Sequence, residues 1–565
     1  MSAPLRIANC SGFYGDRLSA AREMVEGGPI DVLTGDWLAE LTMLILAGNQ
    51  LKGRPGYAPT FLTQLEQVLG RCQERGIKIV SNAGGLDPAG CAQAVADLAT
   101  RLGIHGLRIA HVTGDDVREL AGEGAVTANA YLGGRPIAAA LAAGADVVVT
   151  GRVTDAALVT GPGMWRHGWG PGDLDALAGS VVAGHVIECG CQATGGNYAF
   201  FEEVPDLADC GFPIAELRPD GSSVITKHPG TGGLVSVGTV TAQLLYEIAS
   251  PRYLGPDVTA RFDTIRLTQI GPNRVLVTGV TGEPPPETLK VAVNRLGGYR
   301  NTMTLVLTGL DLAAKARLAE KAIWARVPKE SFEQAHVDLT PLDAETALLR
   351  ITVMDPDRKR AGRAFSAAVV ETGLASYPGL YGLTPPGDAT AYGVYTPSTI
   401  ARDKVHVQVW LDGREIPVPP DDPPRPLQRP TAHASGLPYG THVGPWTTAG
   451  LPFPADVTEE TVPLGRIAGA RSGDKGGDAN LGVWVRSPEQ YTWLSDYLTV
   501  ERLRELLPEV RDRPIERFVL PNLLALNFVV YGLLGQGVAA SPRLDPQAKA
   551  LGERLRAVRV PLPSL

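Results

Sequence analysis

ADVVVTGRVTDAALVTG, residues 145–161, is the stretch on which the fold turns. Its first half is an apolar run broken only by Asp146, without the alternation of a strand that faces water on one side. A short polar, glycine-bearing segment follows, and then a helical stretch. The same pattern recurs upstream. LRIANCSGFYGD (5–16) leads into LSAAREMVEGG, IDVLTGD (30–36) into WLAELTMLILAG, IKIVSNAGGLDP (77–88) into AGCAQAVADLATRLG, and LRIAHVTGDD (107–116) into VRELAG. Uniformly apolar strands alternating with helices predict a mostly parallel sheet covered on both faces, hence an α/β fold. An open doubly wound sheet and a closed barrel both satisfy the pattern.

In either architecture the carboxyl ends of the strands share one rim, where ligands bind. Here those ends read Cys10-Ser11-Gly12, Thr34-Gly35-Asp36, Ser81-Asn82-Ala83-Gly84-Gly85, Thr113-Gly114-Asp115 and Thr150-Gly151-Arg152. Such residues also make good turns. Five small or polar endings in succession point to a shared site that includes Asn82, Gly84 and Gly85. Arg152 and Asp155 are expected there, an arginine fork near a helix start being suited to a carboxylate or phosphate. The competing structural reading makes Asp155 an N-cap paired with Arg152. Asp36 and Glu40, four apart, would share a helix face and could serve proton transfer or a divalent cation.

GHVIECGCQATGGN (184–197) brings Glu188 near two thiols and a Gly195-Gly196 turn. Glu188 is a candidate acid or base if buried. Cys189 and Cys191 have the wrong spacing for a zinc knuckle, and no metal site is expected. In KHPGTGGLVSVGTVTAQLLYE (227–247), Lys227, Gly230 and Gly232 open a helix and could hold an anion. The segment is not a phosphate-binding Walker loop, since the Gly-Lys-Ser/Thr ending is missing.

Beyond residue 230 the pattern becomes α+β. A hairpin is expected at 264–282, helices at 310–327 and near 358–373, and strands at 347–355 and 404–413. PVPPDDPPRPLQRP (417–430) reads as a stiff linker. The expected organisation is therefore an α/β part at 1–225, an α+β part at 226–416, the linker, and a small α+β module at 460–565. That module contains RSGDKGGDANLG (471–482), read as a loop. Its glycines would let it present Lys475, Asp474 and Asn480 to a ligand or a domain interface.

The chain carries 60 acidic and 52 basic residues, net −8, with no basic stripe, which argues against nucleic-acid binding. No apolar stretch is long enough to span a membrane, and none near the start has the form of a secretion signal. Six cysteines in 565 residues are not a disulfide framework. A cytoplasmic protein is the simplest reading.

ARSGDKGGDANLG, GRVTDAAL, GFYGD followed by GDWLAELTM, SNAGGLDP and HPGTGGLVSVGTVTAQLLYE, spread over nearly the whole chain, together resemble the acyclic terpene utilisation AtuA proteins. The resemblance implies a large N-terminal domain and a small ferredoxin-like C-terminal one. It also implies a role in branched-chain or terpenoid carboxylate or acyl-CoA catabolism, as a carbon–carbon lyase or hydratase. Coenzyme A would then be part of the substrate, and no other cofactor is assigned. The residue reading adds Asp36, Arg152, Asp155, Glu188 and Lys475 as catalytic candidates, a small anionic substrate and a homo-oligomer. Two other readings stay open: a non-catalytic assembly or binding subunit, and a metal-dependent hydrolase using Asp36, Glu40 and His or Cys ligands.

Overall fold

The computed structural model describes residues 3–383, 385–419 and 461–561. Its largest sheet has eleven strands. Five of them run parallel in the spatial order Leu5–Asn9, Val32–Gly35, Lys78–Ser81, Val147–Thr150, Ile109–Thr113. These are the five predicted strands. Antiparallel strands extend both edges. Pro213–Leu217, Ser223–Lys227 and the hairpin Arg266–Gly271/Arg274–Thr278 lie on one side, and Gln408–Leu411 with Arg414–Ile416 on the other. The sheet is therefore open, which removes the barrel alternative.

Side-chain alternation explains why the central strands lack polar positions. Val32, Val80 and Val148 pack on one face among residues of the helices Arg135–Ala142, Ala157–His167 and Leu174–Ile187. Leu33, Ile79, Val147 and Val149 pack on the other among residues of Ala20–Glu26, Pro59–Arg75 and Pro88–Arg101. Both faces are covered, so neither can carry a polar stripe. Leu174–Ile187 has almost no polar face, as expected of a helix buried all round. That helix carries His185 and ends at Glu188.

The second sheet is built around one 21-residue strand, Thr288–Thr308. It pairs with Ala125–Ala130, Thr346–Asp355 and Thr390–Ala401. The strand is hard to see in sequence because Gly297-Gly298 interrupts it, and the register shifts there. The expected hairpin at 264–282 is present but joins the first sheet, so strands of the presumed α+β part are shared between the two sheets. The helix expected at 310–327 runs Leu312–Trp324; that near 358–373 shortens to Phe365–Val370 after an irregular turn. Strand 404–413 breaks at Asp412-Gly413, where both residues have positive φ, and folds back as a hairpin. The expected linker lies outside the described residues from position 420 onward.

The C-terminal module is a four-stranded antiparallel sheet, ordered Gly469–Lys475, Asp478–Trp484, Ala525–Val530, Ile515–Leu520. One face takes Ala479, Leu481, Val483, Leu526 and Phe528 into a core with Leu494, Leu503, Leu551 and Leu555 from its helices. The opposite face, bearing Asn480, Gly482 and Asn527, meets the rest of the chain.

Candidate functional site

The segment 471–482 is not a loop. It is a β-hairpin, paired from Gly469↔Trp484 to Lys475↔Asp478, with Gly476-Gly477 as its two-residue turn. Gly476 has φ +65°, which a side chain rarely tolerates. The other glycines serve contact rather than flexibility. A Cβ on Gly473 would stand 2.5 Å from the Tyr246 ring, and one on Gly482 would stand 2.5 Å from Leu245 Cβ. The hairpin thus lies backbone-close on the segment following the helix Val237–Leu244.

Asn480 locks that contact. Its Nδ2 donates to Leu245 O at 2.9 Å, and its Oδ1 accepts from Glu247 N at 2.8 Å. Asn527 adds a bond to Ala249 O. Glu247 is held at φ +57°, an uncommon conformation for glutamate that this clamp maintains. The Glu247 carbonyl then accepts Lys475 Nζ at 2.7 Å. Asn480 thus makes the interface contact that was one of the two roles expected of its segment. The alternation of strand residues puts Arg471, Gly473 and Lys475 on one face and Asp474 on the other.

Lys475 meets the predicted rim. Asp36, Asn82, Arg152 and Asp155 do converge at the strand ends, although two of them are occupied with structure. Asn82 Nδ2 donates to Asp36 Oδ1 at 2.6 Å, and Asn82 Oδ1 accepts Trp37 N at 2.8 Å. Asp115 accepts Arg152 N at 2.9 Å and Asn129 Nδ2 at 2.8 Å, fixing the turn that presents the arginine. The Arg152 guanidinium lies 4.3 Å over the Tyr131 ring, donates to Leu38 O, and pairs with Asp155 at 2.9 Å. Asp155 is no N-cap; the helix begins at Ala157 and its cap is Ala156. Asp36 lies before the helix Glu40–Gln50, so it does not share a helix face with Glu40.

Across Tyr131 stands Lys290 of the long strand, 4.6 Å from the ring and 3.2 Å from Glu40 Oε1. From the buried helix come His185 and Glu188, with Nδ1 and Oε1 3.2 Å apart. Among the described residues, neither imidazole nitrogen makes an aligned hydrogen bond and Glu188 Oε2 has no partner. Tyr253 flanks His185 at 5.3 Å between ring centroids and lies under the Lys475 ammonium at 5.7 Å. The side chains of Arg152, Glu188 and His185 are 4, 6 and 1% accessible, while those of Asp155 and Lys290 are 26 and 41% accessible. The cluster thus lines a cleft that solvent reaches, not a sealed core.

Burial dominates its electrostatics. It raises the carboxyls of Asp36, Glu188 and Glu247 above the usual range, with the negative charge of Asp155 adding to each. Burial and the positive charge of Lys475 push the His185 imidazole down to about 4. Burial and Lys290 lower the Lys475 amine. Burial works against the charge on Arg152 and Lys290 too, but Asp155 for the first and Tyr131 and Glu40 for the second hold them firmly cationic. The site at neutral pH therefore contains a neutral imidazole, carboxyls biased toward protonation, two fixed cations and one destabilised ammonium.

The remaining expected residues sit elsewhere or do other work. Gly84 and Gly85 are packing positions, where a Cβ would meet Thr150 O at 2.5 Å and Leu46 Cδ1 at 2.3 Å. Gly195 and Gly196 close a turn against Val204 and Cys191. Lys227 donates to Thr231 O at 2.5 Å within its own loop, and Gly232 packs on Asp206 O. Cys191 turns toward Cys210, its Sγ 3.2 Å from the Cys210 carbonyl oxygen. Asp36 and Glu40 part company, one to Asn82 and the other to Lys290. Among the described residues, no group of three His, Cys, Asp or Glu could hold a metal ion. Sequence reasoning missed Tyr131, Glu247, Tyr253 and Lys290 at the site. Each arrives on an element outside the five parallel strands: Tyr131 follows Ala125–Ala130, Glu247 follows the helix Val237–Leu244, Tyr253 lies in Arg252–Leu254 of a small three-stranded sheet, and Lys290 in Thr288–Thr308. Among the described residues, no helix is long and apolar enough to cross a membrane.

Residues 5–411 match the family described as acyclic terpene utilisation family protein AtuA, and residues 462–561 match the AtuA ferredoxin-like domain. No curated protein and no solved structure matches the chain. The cleft lies where the two matched regions meet.

Proposed function

Because the chain belongs to the acyclic terpene utilisation AtuA family, we propose that it is an enzyme of branched-chain or terpenoid carboxylate catabolism. Its substrate in this reading is a small carboxylate or the corresponding coenzyme A thioester, and its reaction a carbon–carbon lyase or hydratase step. The observation that carries the proposal is the cleft where Arg152, Lys290 and Lys475 face the unpartnered His185–Glu188 pair. Buried polar atoms without partners are costly, and a site shaped for a ligand is a physical reason for them.

The chemistry follows from the charge states. Arg152 offers a planar fork to a carboxylate or a thioester carbonyl. Lys290 adds positive potential where an enolate would develop. Burial and mutual repulsion hold Glu188 toward its protonated form, so it can donate a proton. The neutral His185 beside it can accept one. Asp36 and Asp115 are positioning residues in this reading: Asp36 Oδ1 accepts from Asn82 and Leu38 N, and Asp115 Oδ2 accepts from Asn129 and Arg152 N. The assembly-subunit reading draws less support, because the hairpin edge it would use for docking is filled by Leu245 and Tyr246 of the same chain.

The test is a thermal-shift screen of short branched carboxylates and acyl-CoAs, followed by turnover assays on those that bind. A binding compound raises the melting temperature with the logarithm of its concentration. Arg152→Met is expected to abolish that rise and the turnover. A ligand that stabilises Arg152→Met as much as the wild type would refute the assignment.

A further inference from the structure

We infer that Lys475 is a nucleophile, its ε-amine adding to a ketone or aldehyde carbonyl of the substrate to form a Schiff base. The inference rests on the reading of the cleft given above and specifies the substrate further as a carbonyl compound bearing an anionic group.

The three cations of the cleft differ in one respect. Arg152 has Asp155 at 2.9 Å and Lys290 has Glu40 at 3.2 Å. Among the described residues, Lys475 makes no ion pair. Its contacts are one hydrogen bond to the Glu247 carbonyl and the face of Tyr253. A lysine taken from water without a counter-ion is biased toward the neutral amine. The carbonyl of Glu247 accepts one of its protons and leaves the lone pair available. The facing groups are Lys290, Glu247, Glu40, Glu188 and His185. Lys290 is the second ammonium that lowers the amine, an arrangement known to activate lysine nucleophiles.

The backbone supports the same role. Lys475 sits in the last strand position before a two-residue turn, and Glu247 is clamped by Asn480. The amine is therefore held on a rigid element. In the step itself, the nitrogen lone pair forms a C–N bond to the carbonyl carbon and a proton passes from nitrogen to oxygen. The resulting carbinolamine takes a proton from Glu188, loses water and becomes a protonated imine. No oxidant, reductant or other co-reactant is consumed. The iminium draws electrons from a bond one carbon away, which is the requirement of a carbon–carbon lyase and explains why Arg152 would hold the far carboxylate. His185 takes the proton of the β-hydroxyl as that bond breaks and returns it to the carbon of the enamine so formed; water then hydrolyses the product iminium, freeing the Lys475 amine and returning the proton to Glu188.

Full-length protein is incubated with pyruvate, acetoacetate or levulinate, with and without sodium cyanoborohydride, and analysed by intact mass and peptide mapping. A reductant-dependent adduct on Lys475 with one or more of these acids is expected, and it is lost in Lys475→Arg. In parallel, reductive methylation with formaldehyde at pH 7.5 compares Lys475 with the exposed Lys404. Lys475 is expected to react faster, by roughly tenfold for each unit its pKa is depressed. Keto acids that raise the melting temperature yet leave no adduct on Lys475 would overturn the inference and leave the proposed function standing. Methylation of Lys475 no faster than that of Lys404 would overturn it as well. Failure of every anionic ligand to bind would overturn both.

Discussion

Two glycine-rich segments of this chain look alike on paper and end differently. KHPGTGG (227–233) and RSGDKGGDANLG (471–482) each place a lysine at the end of a strand beside several glycines. In the first, Lys227 turns back and donates to Thr231 O and Oγ1. Its charge is consumed in closing its own loop. In the second, Lys475 crosses to another part of the chain and reaches the carbonyl of Glu247. The glycines do one job in both places. A Cβ on Gly232 would stand 2.1 Å from Asp206 O, and one on Gly477 2.2 Å from Gly535 O. Glycine density therefore marks close backbone approach. Whether that approach builds a site depends on what is approached.

The sharpest way to break this contrast is to remove each charge. Lys475→Met is expected to lower turnover by about 10³-fold while leaving the fold intact, on the scale of losing one essential electrostatic group. Lys227→Met should retain turnover within about tenfold, since its amine never enters the cleft. Steady-state kinetics on both variants decide it, and equal losses would erase the distinction. The second way tests the shared role of glycine. Gly477→Ala and Gly232→Ala each force a methyl against a backbone carbonyl and should each cost about 1–3 kcal/mol. Denaturant unfolding measures that, and a neutral result at either position would mean the segment relaxes freely.

The smallest effect concerns pH. Burial, with Glu247 and Glu40 nearby, lifts Asp474 to about 7. A carboxyl raised in the folded state contributes stability at low pH that is lost as pH rises through that value. The melting temperature of wild type minus that of Asp474→Asn should thus fall between pH 5 and pH 8, by roughly 2 °C. A constant difference across that range would mean Asp474 is not held in a shielded position. The first loop offers no carboxyl of this kind.

Part of this was legible beforehand. Alternating apolar strands and helices specify a parallel sheet because both faces must be dry, and that pattern is local. The strand-end rim followed, and with it Asp36, Asn82, Arg152 and Asp155. The small C-terminal module followed from its own hydrophobic runs. The hairpin at 471–482 was misread because glycine and charge favour loops in isolation, while its cross-strand partners lie on Ala525–Val530. The strand Thr288–Thr308 was hidden by its glycine bulge.

By itself, then, the sequence determined the layered α/β architecture, the two-domain division of the family and the residues of the rim. Each of these depends on periodicity or on motifs read within a few tens of residues. Only the tertiary structure decided that Lys475 and not Lys227 belongs to the cleft, that Asn480 clamps Glu247, and that Lys290, Tyr131, Tyr253 and Glu247 complete the cluster. Those outcomes depend on which segments meet across 100 residues or more, and on burial that shifts a charge state. Neither quantity has a local signature, because both are set by neighbours that the chain acquires only on folding.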